Sequence, residues 1–144
     1  MAAVGLDGRY GAYVERLPGL TLATVNLMSL YGLHRRLRGA IVGHLAAFEM
    51  TSSLPNRRYG NGLRRLGFDA DATDFFDEHV EADAVHEQVA SWDLAGGLAA
   101  AEPQLGGDVL WGAAVLLELE ARWARRLLGA WERGESSLLP AARS

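Results

Sequence analysis

The sequence predicts an all-α protein, and three observations support this fold class. No segment alternates apolar and polar residues with a period of two, which is the pattern of a half-buried strand. Apolar residues instead recur at spacings of three and four over residues 22–48 and 109–131. The chain of 144 residues is long enough for one domain with a core but short for two. We therefore expect one helical bundle.

The first predicted long helix begins after a glycine-rich N-terminal segment, residues 1–19. That segment allows only a short helix over residues 10–17, because Pro18 and the following glycine end it. From Thr21 the apolar spacing predicts one long helix, or two collinear helices, reaching Phe48.

Three glycines lie within this long helical stretch. Each costs about 1 kcal/mol relative to alanine, so Gly32, Gly39 and Gly43 predict close helix–helix approach or a bend near Gly32. Pro55 is expected to end the stretch, because proline lacks a backbone donor and disfavours helical angles in the residue before it.

A short helix and then a central helix are predicted to follow. The short helix covers residues 57–66 and closes at Gly67. Asp71 or Thr73 is expected to cap the central helix, because these side chains accept hydrogen bonds from free amides of the first turn. The central helix is predicted to reach Ala90.

The remaining chain predicts a break at residues 91–93 and a small helix from Asp93 that Pro103 stops. The last strong helix is expected to open at Gly106 and to end at Gly134. The bundle domain is thus predicted over residues 20–134, followed by a flexible tail at 135–144.

Composition excludes several classes of protein. The chain has no cysteine, which removes disulfides, zinc–thiolate sites, iron–sulfur clusters and a cysteine nucleophile. Its net charge of −4 argues against nucleic-acid binding, which needs a surplus of positive charge. No uninterrupted run of 18 apolar residues and no signal-like N-terminus is present, so we expect a cytoplasmic protein without membrane contact.

The central helix carries the pattern H-x-x-x-D-x-x-H, formed by His79, Asp83 and His86. On an α-helix these three side chains fall within about 60° of one another. Imidazole and carboxylate groups on one stripe are good ligands for a first-row transition metal, and a facing helix has room to add more. The stripe is therefore a candidate metal site.

The alternative is that the stripe is a solvated helix face, which is common for sequences rich in Asp, Glu and His. Apolar residues between the candidate ligands favour a partly buried helix instead; they are Phe75, Phe76, Val80, Ala82 and Val85. Glu49 lies among apolar residues of the preceding long helix, where a carboxylate either escapes to solvent or needs a partner inside. Both interpretations of the stripe remain open at this point.

Other catalytic motifs are absent or incomplete. His86 and Glu87 begin like the zinc-protease helix H-E-x-x-H, but Ala90 stands where the second histidine is required. No glutamate precedes His79 or His86 by three residues, as a ferritin-type site would need, although Asp83 precedes His86 by three. A serine hydrolase is disfavoured because no G-x-S-x-G occurs.

The sequence resembles the heme-oxygenase-like diiron oxidases and oxygenases, and more narrowly the bacterial iron-containing redox enzyme family. Residues 24–39, residues 43–53 and the H-x-x-x-D-x-x-H helix carry the resemblance, which runs from about residue 10 to residue 137. It implies a non-heme, possibly diiron centre in which Glu49 bridges the irons. By the same resemblance His79, Asp83 and His86 are ligands, and O2 and a small molecule are the substrates.

One departure from the family pattern shapes our expectations. Members of the family take a further Glu and a further His from earlier helices, and Glu15 and His34 do not supply that pair. The resemblance then implies only the C-terminal half of a heme-oxygenase-like fold. Because four side chains cannot fill the coordination positions of two irons, we expect at most one weakly held metal. Self-association, or pairing with a missing N-terminal half, would cover its apolar faces. The competing hypothesis is a non-catalytic helical interaction module with no metal site.

Overall fold

The computed structural model describes residues 1–140, and these residues form helices and turns without a strand. The all-α prediction is confirmed. The α-helices are α1 (Gly19–Leu33), α2 (Arg38–Arg65), α3 (Ala70–Gln88), α4 (Gly97–Ala101) and α5 (Gly106–Glu132), and a π-helical segment (Val89–Gly96) joins α3 to α4. None of the helices in this part of the chain combines the length and the apolar character needed to cross a bilayer.

Helix α2 is the centre of the bundle, because it packs along both α3 and α5. Its crossing with α5 is close enough for backbone to meet backbone. A methyl group added at Gly43 would clash with the backbone of Val109, and one added at Gly112 would clash with the backbone of Ala40. The close approach predicted from the glycines is confirmed at Gly43.

The chain leaves the helical conformation between α1 and α2 at His34, which has extended angles (φ −119°, ψ 101°). A 3-10 turn, Arg35–Leu37, then leads into α2. The stretch predicted as one long helix or two collinear helices is therefore two helices, separated by an extended residue and a 3-10 turn. Gly32 lies inside α1 with open space around it, so the interruption comes two residues later than the bend that was expected there.

The prediction that Pro55 ends the helix is wrong. Helix α2 continues through Pro55 to Arg65 and absorbs the separate short helix expected over residues 57–66. Proline inside a helix costs about 3 kcal/mol through one lost hydrogen bond and a steric clash. Packing against α3 on one side and α5 on the other outweighs that cost here.

The ends of the other helices agree only in part with the ends predicted from the sequence. Helix α3 begins at Ala70, with Asp69 at the N-cap position and no side-chain capping bond, so capping by Asp71 or Thr73 is wrong. Instead of a break near Trp92, the chain stays helical through the π-helical segment. Helix α5 begins at Gly106 as predicted.

The two terminal segments lie against each other. The expected N-terminal helix is reduced to a 3-10 turn, Val14–Arg16. Leu139 donates its backbone amide to the carbonyl of Arg16 at 2.8 Å, and the Arg16 Nε donates to the carbonyl of Leu139 at 2.7 Å. The segment predicted as a flexible tail, 135–144, is thus hydrogen-bonded to the N-terminal segment at Leu139. Its last four residues lie outside the described residues.

Buried His44 should make the stability of the fold depend on pH. It is 3% exposed and packs edge-on against Tyr31, and its Nδ1 has no hydrogen-bond partner among the described residues. Burial lowers the pKa of His44. Because the unfolded chain takes up this proton near pH 6.5 and the folded chain resists it, stability should fall as the pH drops below that value.

The measurement is the melting temperature of metal-free protein between pH 7.5 and 5.5, for wild type and for His44→Leu. Wild type is expected to lose more stability on acidification than the variant does. Equal losses in the two proteins would show that His44 does not control this pH range.

Candidate metal centre

Three of the four sequence-predicted ligands meet where α2 and α3 lie side by side. Glu49 projects from α2, and Asp83 and His86 project from α3 one turn apart. The Nδ1 of His86 lies 3.4 Å from the Oε2 of Glu49 and 3.8 Å from the Oδ1 of Asp83. One ligand atom from each residue lies within 4.8 Å of the others, and this is the one such group of three among residues 1–140.

Asp83 is the best fixed of the three groups. It is only 3% exposed, and its Oδ2 accepts hydrogen bonds from the Ser52 hydroxyl at 2.6 Å and from the Asn56 amide at 3.3 Å. Both donors come from α2. These bonds hold one carboxylate oxygen and leave Oδ1 on the side of His86, as outer partners of metal ligands commonly do.

The charge of Asp83 has no strong partner in the described part of the chain. Its hydrogen-bond donors are neutral, and the one basic side chain within 4.0 Å is the imidazole of His86. A buried carboxylate is costly unless it is paired or coordinates a metal. A second carboxylate, Glu49, lies beside the same imidazole, so the site favours a cation.

The spacing of the ligand atoms suits a single small ion. Donors at about 2.1 Å from an ion are about 3 Å apart when adjacent and about 4.2 Å apart when opposite. The observed separations of 3.4 and 3.8 Å fall in this range. The side chain of His86 is 57% exposed and that of Glu49 is 19% exposed, so the group is open to small molecules on one side.

His79 does not join this group of three. Its Nδ1 lies 2.6 Å from the carbonyl oxygen of Phe75, and its ring stacks on the Phe75 ring with centroids 4.2 Å apart. A carbonyl only accepts, so Nδ1 is the donor in this bond, and Nε2 is the ring nitrogen left to bind a metal. The same local bond occurs at His34, so it does not itself indicate a ligand. The assignment of His79 as a ligand stays a prediction.

Sequence reasoning missed the two residues that position Asp83. Ser52 and Asn56 follow Glu49 by three and seven residues, so all three lie on one face of α2. That spacing was visible in the sequence. It was overlooked because the helix was expected to stop at Pro55, which places Asn56 outside it.

The geometry agrees with the comparison to known protein families. A family model described as iron-containing redox enzyme matches residues 1–121, a span that includes Glu49, Asp83 and His86. No curated protein and no solved structure gives a significant match. The matched span is most of the chain and agrees with the resemblance read from the sequence. The chain therefore belongs to the iron-containing redox enzyme family.

Proposed function

We propose that this protein is an O2-dependent iron oxidoreductase with a non-heme iron held by Glu49, Asp83 and His86. The observation that carries the proposal is buried Asp83, which shares its site with a second carboxylate and an imidazole. Membership of the iron-containing redox enzyme family supports iron as the metal.

The donor set supports a non-heme ion. Two carboxylates and one imidazole are ligands that suit divalent first-row metals, and a single ion leaves coordination positions free when only three side chains bind. Ferrous iron held by these residues would donate one electron per ion to O2. The chain's own residues position the ligand groups. Ser52 and Asn56 fix the Oδ2 of Asp83, and the exposed edge of His86 leaves a path for small molecules.

The heme-oxygenase-like resemblance implies a diiron centre. Binding of a second iron is therefore the further part of this proposal. Three side chains provide for one ion, and a second ion needs ligands beyond them. His79 is the next candidate on α3, since it lies one turn before Asp83 and keeps Nε2 free.

The test of the redox function is the rate of Fe(II) oxidation after an oxygen-free mixture of iron and protein is exposed to air. Wild type is expected to change the oxidation rate relative to the same iron in buffer. Asp83→Asn keeps the shape of the side chain but removes its charge, so its mixture should behave like buffer. Identical rates for wild type and buffer would count against the proposal.

The second candidate function is a helical interaction module, and exposed tryptophans favour it. Trp92, Trp111 and Trp131 are each more than half exposed, and tryptophan is enriched in protein–protein interfaces. Changing His79 and His86 together to alanine separates the two functions. A metal protein should lose its stabilisation by Fe(II), whereas an interaction module should keep the same stability and the same state of association.

A further inference from the structure

A cavity of about 360 Å³ lies between α2 and α5, next to the candidate metal centre. Its volume is within the usual range of small-molecule sites, about 300–1,000 Å³. The residues that line it include Phe48, Ser52, Asn56 and Tyr59 of α2 and Glu120 and Trp123 of α5. Ser52 and Asn56 line this cavity and also bind Asp83, so one wall of the cavity supports the metal ligands.

Glu120 is the single charged residue of this lining. It is partly buried, and burial raises the pKa of its carboxyl group. No arginine or histidine among the described residues forms an ion pair with it, whereas its neighbour Glu118 is paired with Arg122. A carboxylate placed in this way favours a cationic ligand, whose charge would offset the cost of burial.

Three aromatic rings, those of Phe48, Tyr59 and Trp123, line the same cavity. Aromatic faces attract ammonium groups and also pack against apolar ligand surface. The combination of one carboxylate, aromatic rings and no basic side chain selects against anions. It favours a molecule with a positive end and an apolar body.

We propose that this cavity binds a small primary ammonium compound, with its ammonium group at Glu120 and its apolar body against Tyr59 and Trp123. The claim that such a compound is the substrate of the redox site rests on the function proposed above. The claim that it binds in the cavity rests only on the lining residues. Because Ser52 and Asn56 line the cavity and also bind Asp83, a compound in the cavity would lie close to the iron ligands.

The binding test compares three probes of similar shape but different charge, measured by calorimetry on the full, metal-free chain at pH 7. The probes are phenethylammonium, neutral 2-phenylethanol and anionic 3-phenylpropanoate. Phenethylammonium should bind most tightly. Glu120→Gln should weaken it by about tenfold, because the amide oxygen can still accept a hydrogen bond but the negative charge that strengthens the bond is lost.

Glu118→Gln is the matched control, since Glu118 lies two residues earlier on α5 and outside this cavity. It should leave phenethylammonium binding unchanged. Tyr59→Leu is a second variant, which should weaken phenethylammonium binding through loss of the ring while leaving Glu120 in place. Equal binding of phenethylammonium and 2-phenylethanol, or equal binding to wild type and Glu120→Gln, would overturn the proposal.

Iron binding by the same proteins separates this inference from the proposed function. Glu120→Gln should retain iron, because Glu120 is not among the three candidate ligands. A chain that binds iron but shows no preference for the ammonium probe overturns the cavity assignment alone. A chain that binds the ammonium probe through Glu120 but no iron supports the cavity assignment and contradicts the proposed function.

Discussion

Glu49→Gln, Asp83→Asn and His86→Ala are each expected to remove most of the stabilisation that Fe(II) gives the wild-type chain. At a free iron concentration one hundred times the Kd, binding to the folded state alone adds about 2.7 kcal/mol. For a domain of this size that gain is a rise of roughly 5–10 °C in Tm. Each variant removes one of the three clustered ligand groups. The measurement is Tm with and without Fe(II) under oxygen-free conditions.

Glu81→Gln provides the matched control for these variants. Glu81 is an exposed acid on the same helix, and it lies outside the group of three. The control should keep the full rise in Tm. His79→Ala, measured beside it, tests whether His79 contributes as the resemblance implies. An undiminished rise in all three ligand variants would rule out this metal site.

Gly43→Ala and Gly112→Ala are each expected to lower the free energy of unfolding by about 2–3 kcal/mol, the upper part of the usual range for overpacking. Each new methyl group would meet backbone of the facing helix: 2.6 Å from the carbonyl carbon of Val109 at Gly43, and 2.7 Å from that of Ala40 at Gly112. Backbone cannot rotate away as a side chain can, so α2 and α5 must move apart. Urea denaturation measures the loss.

Gly62→Ala is the control for the helix-crossing prediction. Gly62 lies in α2, and the nearest heavy atom to an added methyl group there is the end of the flexible Arg65 side chain at 3.8 Å. Alanine in an unobstructed helix position gains about 1 kcal/mol over glycine. The control should therefore be more stable than wild type, while the two crossing variants are less stable. Equal stability of all three would contradict the close helix crossing.

The sequence predicted the helical class and the start of α5 because those features depend on local signals. Apolar spacing marks a helix face, and Gly106 and Gly134 mark helix ends. The helix end predicted at Pro55 was wrong because tertiary packing outweighs the local effect of proline. Helix α2 is packed on two sides, and this packing keeps the helix intact through the proline. The π-helical segment after α3 likewise has no marker in the sequence.

The candidate site could be predicted in the parts that depend on spacing along one helix. Asp83 and His86 follow directly from the central pattern, and Glu49 followed from the family resemblance. The positions of Ser52 and Asn56 against Asp83 depend on how α2 and α3 are aligned, which the sequence does not state. The role of Glu120 depends on a cavity between two helices far apart in sequence, so only the structure reveals it.

The most direct test of the central claim is the iron content of the folded chain at equilibrium. Equilibrium dialysis against Fe(II) without oxygen, for wild type and the double variant Asp83→Asn/His86→Ala, gives that content directly. We expect about one iron per wild-type chain, because three clustered ligand groups hold one ion, and only background iron in the double variant. Equal iron in the two proteins would contradict the claim that Glu49, Asp83 and His86 form the metal centre.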